Sequence, residues 1–219
     1  MIELRGPPEN WFAVLWMAVF FLLILVLFAA WAGAAHAEPA AAKQYQRLVT
    51  REARAQGGMD APVAMFAGQI EQESGWNPNA KSPFAEGLAQ FTPDTARWIS
   101  KAYDDLAGPA PFNPGWAVRA LIRYDLGLFA RYAGSGPNCD GWAFALSAYN
   151  GGAGWVARDR DRTREQGGDP SRWFGNTERW SDRGKSAFAE NRGYPRSILL
   201  SRQYHYQSWG PVVQCPASP

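Results

Sequence analysis

Residues 61–94 read APVAMFAGQIEQESGWNPNAKSPFAEGLAQFTPD. Asp60 suits an N-cap and Pro62 a first helical turn, so the spacing predicts a helix over 61–73. Val63, Phe66, Ile70 and Glu73 follow one another at intervals of three, four and three, which puts them on one stripe of that helix. Glu73 therefore rides on the apolar face at the helix end. A carboxyl group desolvated there has a raised pKa and keeps its proton near neutral pH. Glu71 falls off the stripe and is expected to be solvated. Taken alone, Glu73 reads better as a boundary residue at a helix end.

The residues that follow do not leave it alone. Glu73-Ser74-Gly75-Trp76-Asn77-Pro78-Asn79-Ala80 is followed by Ser82-Pro83, Gly87-Leu88-Ala89-Gln90-Phe91 and Pro93-Asp94-Thr95-Ala96. Ala148-Tyr149-Asn150-Gly151-Gly152 and Glu190-Asn191-Arg192-Gly193-Tyr194 come later. This ordered set resembles the soluble lytic transglycosylase (SLT) family over about residues 60–206, and the resemblance implies a mainly α, lysozyme-like domain of the goose-type/SLT kind. It implies that Glu73 is the single catalytic acid/base, and that Ser74 supplies a hydroxyl beside it that contacts substrate. Gln90 would line the cleft, Tyr149 and Asn150 would face the reacting sugar, and Tyr194 would lie near the catalytic acid. Glu190 and Arg192 fit the late motif, although Asn191 replaces the family's usual Thr and Pro195 its usual Val.

The implied chemistry needs only one carboxyl group. Glu73 protonates the oxygen of the β-1,4 bond between N-acetylmuramic acid and N-acetylglucosamine, then serves as base toward the sugar's own 6-hydroxyl, which closes a 1,6-anhydro ring. A hydrolase commonly needs a second carboxylate. Asp94, Asp125 and Asp140 are the candidates. Asp94 and Asp140 also read as helix-start residues, and Asp125 as a residue on or near an apolar stripe of a long helix. A muramidase is thus the alternative enzyme. A glycan-binding assembly component of a secretion, conjugation or phage entry apparatus is the alternative from another class.

Outside these motifs, Thr92-Pro93-Asp94 opens a helix to about 102, Asn113-Pro114 one to about 132, and Asp140 one to about 150. A last helix is expected over 195–206. Residues 158–184, dense in Arg, Asp and Gly, read as a long surface excursion with one short helix after Asp169-Pro170. Strand-like alternation is almost absent. The expected organisation is a lead (1–10), an apolar segment (11–33), an Ala/Pro linker (34–44), the catalytic domain (45–206) and a C-terminal tail (207–219).

Residues 11–31 carry no charge, enough chain for a transmembrane helix, although Ala35-His36-Ala37 also resembles a signal cleavage site. Arg5 before this run, and Lys43, Arg47 and Arg51 after it, favour a cytoplasmic C-terminal side. The two cysteines, Cys139 and Cys215, favour the opposite: both follow the run, as expected for a disulfide in an oxidising compartment, the other reading being two unpaired thiols. The expectation is a single-pass inner-membrane protein with its catalytic domain in the periplasm, acting on peptidoglycan and serving an envelope-crossing machine.

The 219 residues carry a net charge of +2, and removing Arg5, Glu3 and Glu9 with the N-terminal segment leaves +3. So weak an excess argues against a nucleic-acid partner. No cofactor or metal site is expected. His36 and His205 are isolated, and Gly151-Gly152-Ala153-Gly154 follows a helix and lacks a nucleotide-site lysine.

Overall fold

In the computed structural model the described residues are 38–134 and 138–215. The apolar run at 11–33, read above as a transmembrane segment, lies outside them. No helix among the described residues is long and apolar enough to cross a membrane. Seven α-helices form the body: α1 (Gln46–Gly57), α2 (Val63–Ser74), α3 (Pro93–Ala102), α4 (Pro114–Tyr132), α5 (Asn138–Gly151), α6 (Ala153–Glu165) and α7 (Lys185–Leu200). Among the described residues the only β-pairing is two isolated bridges, Lys81 to Glu86 and Glu86 to Phe91, inside the loop between α2 and α3.

Helix α2 is the centre. Every residue from Val63 to Ile70 is buried, so it has no solvent face to set against its stripe. It packs against α1, α7 and the 3-10 turn Arg202–Tyr206. Gly68 permits this, because a Cβ there would stand 2.8 Å from the backbone nitrogen of Gln203. Helices α4 and α5 pack on one another, α4 also against α1 and α5 against α6 and α7. The expected helix starts at Thr92 and Asn113 are realised by side-chain caps: Thr92 Oγ1 accepts from Thr95 N (3.1 Å) and Asn113 Oδ1 from Trp116 N (3.1 Å). Helix α2 begins after Pro62 with no side-chain cap and ends on Gly75, whose left-handed backbone (φ 57°) closes it.

Four expectations fail, in whole or in part, for identifiable reasons. The segment 158–184 is not a surface excursion: α6 occupies its first part, and Asp159, Thr163, Trp173 and Thr177 are buried. The short helix expected after Asp169-Pro170 is reduced to the 3-10 turn Thr177–Arg179, because Asp169 Oδ1 accepts from both the backbone N and the hydroxyl of Ser171 (2.8 and 2.6 Å) and holds a turn at its own position. The last helix runs over Lys185–Leu200 with Pro195 inside it, followed by the separate Arg202–Tyr206 turn. Proline was read as a helix opener, yet only one backbone N–H is lost where it interrupts a helix otherwise held by packing. Asp140 is likewise no cap for its own helix. Its Oδ1 accepts from Trp173 N and Phe174 N (2.8 and 3.2 Å), and Arg172 pairs with its other oxygen at 2.7 Å.

The packed body extends beyond 45–206 at both ends. Residues 40–44, expected in a linker, belong to the 3-10 turn Ala40–Tyr45, with Ala42 and Tyr45 buried. On the C-terminal side Trp209 and Val213 are in the core. Tyr45, Tyr206 and Trp209 surround Trp76, the first two at ring-centroid separations of 5.8 and 5.6 Å. Trp209 Nε1 donates to Glu38 (2.9 Å), so the first described residue is fastened to the last segment.

Cys139 and Cys215 are joined by a disulfide across 76 residues. Closing a loop of this length stabilises the native state by about 4 kcal/mol in the chain-entropy treatment. The Cys139→Ser, Cys215→Ser double variant is therefore expected to unfold at a lower denaturant concentration, by about that free energy. Reductant should bring the unmodified protein to the same midpoint and leave the variant unmoved.

Candidate active site

Glu73 stands where two clefts meet. One, of about 340 Å³, is lined by Glu73, Gln90, Phe91, Tyr124, Tyr149 and Asn150, and also by Phe84, Thr92 and Thr95 among others. The second, of about 410 Å³, is lined by Gln72, Glu73, Asn150, Glu190, Tyr194 and Ser197 among others. Four of the expected residues thus share one cleft with Glu73 or border it: Gln90, Tyr149, Asn150 and Tyr194. Ser74 lines neither cleft, and its hydroxyl donates back to the carbonyl of Ile70 (3.2 Å).

The elements fix each side chain. The Tyr194 hydroxyl, delivered by α7, donates to Glu73 Oε1. The Tyr149 hydroxyl donates to the carbonyl of Ala89 (2.7 Å), which ties the end of α5 to the Gly87–Gln90 turn. The Gln90 amide donates to the carbonyls of Gly87 (2.9 Å) and Ala80 (3.2 Å), holding that turn closed while Gln90 borders the cleft. Gly87 is required there. Its φ is 75°, and a Cβ would fall 1.7 Å from the carbonyl oxygen of Pro111. Asn150 accepts from the Asn191 amide (2.9 Å) and donates to Glu190 (3.2 Å).

In the late motif, Glu190 and Tyr194 are one helical turn apart and face the clefts. Asn191 and Arg192 point inward. Arg192 binds Asp159 (3.0 Å) and the carbonyls of Glu178, Thr177 and Trp180. Neither Glu190, the carboxylate that shares both clefts with Glu73, nor Tyr124 stood out as a site residue in the sequence. Glu190 opens the motif that contains Tyr194, and that was the signal available.

Burial pushes the Glu73 carboxyl up to about 8; the hydrogen bond from Tyr194 acts downward and the charge of Glu190 adds to the rise. Glu73 is thus protonated at neutral pH, largely buried, and reaches the cleft with the small part that stays open. The other expected acids are placed differently. Asp94 is exposed on α3 and paired with Arg97, and Asp140 is the loop anchor described above. Asp125 is fully buried and lines neither cleft. Burial holds its carboxyl well above the usual range, the Glu73 charge adds to this and Gln69 opposes it, so the neutral form is favoured.

Glu71 departs from expectation. It is not solvated: only 11% of its side chain is exposed, and it meets Arg202, His205 (2.9 Å) and the Tyr206 hydroxyl (2.9 Å). The Arg202–Tyr206 turn covers the face of α2 that the stripe had assigned to water. Among the described residues no group of three or more His, Cys, Asp or Glu side chains could hold a metal ion.

Residues 50–171 match the family described as Transglycosylase SLT domain. The membrane-bound lytic murein transglycosylase F of Vibrio vulnificus is 34% identical over 159 residues, covering 68% of this chain and 29% of that protein. Its namesake in Vibrio campbellii is 33% identical over 162 residues, covering 70% and 29%. Among solved structures, the 70 kDa soluble lytic transglycosylase SLT70 from Escherichia coli superposes with a TM-score of 0.53 at 25% identity, over 76% of this chain and 25% of that one. An inactive mutant of lytic transglycosylase Slt from Pseudomonas aeruginosa gives 0.52 at 20% identity, over 77% and 25%. The chain spans less than a third of the length of these relatives. With the family matched over more than half of its residues and the helical fold shared, the chain belongs to the SLT transglycosylase domain family, of lysozyme-like fold.

Proposed function

We propose that this protein is a peptidoglycan lytic transglycosylase, cleaving the β-1,4 bond between N-acetylmuramic acid and N-acetylglucosamine and leaving 1,6-anhydromuramoyl ends. The observation that carries the reading is the protonated, cleft-facing Glu73, held by Tyr194 at the junction of two clefts. Glu73 gives its proton to the glycosidic oxygen, and the resulting carboxylate withdraws the proton of the sugar's 6-hydroxyl as that oxygen closes on C1. The proton is returned to Glu73 and no water is consumed. Positive charge developing at C1 falls to the substrate's own acetamido group, which Tyr149 and Asn150 orient. The relatives named lytic murein transglycosylase support the same chemistry.

The run 11–31 anchors the chain in the inner membrane, the domain facing the periplasm. The disulfide supports an oxidising compartment, and the relatives are named membrane-bound. An enzyme anchored in this way suits local wall opening for an envelope-crossing machine.

Product chemistry tests the reaction. After incubation with sacculi, the muropeptides released are expected to carry anhydro ends, one water lighter than the reducing ends of hydrolysis, as read by mass spectrometry. Predominantly reducing ends would make the protein a muramidase. Glu190, which shares both clefts with Glu73, would then be the second carboxylate to replace, in preference to the buried Asp125. A folded protein that releases nothing would be a glycan-binding component.

A further inference from the structure

An unbroken row of aromatic rings leads away from Glu73. Tyr194, bonded to Glu73, lies parallel to Tyr149 with ring centroids 6.4 Å apart. Tyr149 is 5.5 Å from Tyr124, and Tyr124 is 5.7 Å from Trp98. The first three rings are buried or half-buried, whereas Trp98 is 50% exposed. Trp98 lies one turn after Thr95 on α3, and Thr95 lines the cleft, so Trp98 shares the helix face that Thr95 turns to the cleft. Phe84, 77% exposed, lines the same cleft as Thr95.

We propose that Trp98 is an outer sugar-binding platform, receiving a pyranose ring of the glycan strand beyond the units at Glu73, and that it makes the enzyme favour long strands. This rests on the glycan-cleaving function proposed above. An indole offers a broad apolar face with little conformational entropy to lose, matching the C–H face of a pyranose whose hydroxyls stay in water. Trp98 also meets the edge of Tyr103 (6.3 Å), so its ring is held on two sides, and a half-exposed tryptophan fixed in a row of rings that starts at the acid has its burial completed by substrate. The glycan is the occupant because the row and the cleft are continuous with the reacting position; a protein partner would have no reason to share that line.

The test uses the full chain and denuded glycan strands fractionated by length, with Trp98→Ala, Trp98→Phe and the unmodified protein compared after thermal melts. For Trp98→Ala the KM on long strands should rise about tenfold, with kcat moved far less. The penalty should shrink as strands shorten, and Trp98→Phe should recover part of it. In a Glu73→Gln background, long strands should shift the indole fluorescence, and Trp98→Phe should remove that shift. Equal KM values at every length, or a penalty independent of length, would overturn the proposal while leaving the cleavage reaction standing. No cleavage and no glycan binding by the unmodified protein would overturn both.

Discussion

Glu73→Gln is expected to lower glycan cleavage by at least about a hundredfold, the usual scale for a positioned acid and base, and at the same time to stabilise the fold. The two effects share one cause. Burial raises the carboxyl from an ordinary 4.5 to about 8. Below pH 4.5 both the native and the unfolded chain hold this proton, and Glu73 adds no pH dependence. Between 4.5 and about 8 the unfolded chain releases it while the native state keeps it, so the native protein loses stability as pH rises across that window. Above about 8 the native carboxyl also ionises and the loss levels off. Glutamine does not titrate. The variant's advantage in chemical denaturation should therefore be absent below pH 4.5 and reach on the order of 3 kcal/mol above pH 8, reduced from the full shift because the cleft admits water. On the proposed function, cleavage by the unmodified protein should fall above about pH 8, where the proton to be donated is gone. An equal advantage at all pH values would mean that Glu73 is ordinarily ionised.

Asp159→Ala should cost about 3–5 kcal/mol, the range for removing one member of a buried ionic group. Asp159 is completely enclosed. It pairs with Arg183 and with Arg192 (3.0 Å) and accepts from the Ser181 hydroxyl (2.6 Å). The two guanidiniums are themselves 3% and 8% exposed, so neither can recover the lost partner from water. Arg192 also holds the carbonyls between α6 and α7, and α7 carries Glu190 and Tyr194. Urea unfolding should show the loss, and activity should fall with it at temperatures where the intact protein works. Asp159→Asn should lose less, because it can still accept from Ser181. A variant as stable as the parent would show that the arginines find other partners.

That ionic group also explains what the sequence hid. The motifs around Glu73, Gln90, Tyr149 and Tyr194 were legible because they couple fixed residue types to turns and helix ends. The starts of α3 and α4 were legible because Thr92 and Asn113 cap them. Helix α6 was not. Its sequence from Arg158 to Glu165 is rich in charge, and the residues it buries are Val156, Asp159 and Thr163, which form no apolar stripe. Hydrophobic periodicity cannot report a helix whose inward face is an aspartate meeting arginines from far along the chain. Glu71 failed in the same way, hidden by Arg202, His205 and Tyr206 more than 130 positions later. Pro195 misled by its usual preference for a first turn, which tertiary packing of α7 overrides.

Gln90 has φ 45°, one of two described non-glycine residues in the left-handed region, the other being Trp76 at 69°. A side chain there costs about 1 kcal/mol relative to glycine. The cost is borne at the position whose amide closes the turn and borders the cleft. Selection for heat resistance alone would be drawn to glycine or asparagine at this position, and the winning clones would carry a sounder backbone around a poorer binding wall. Libraries intended to harden this protein should hold residue 90 fixed and take their gains elsewhere.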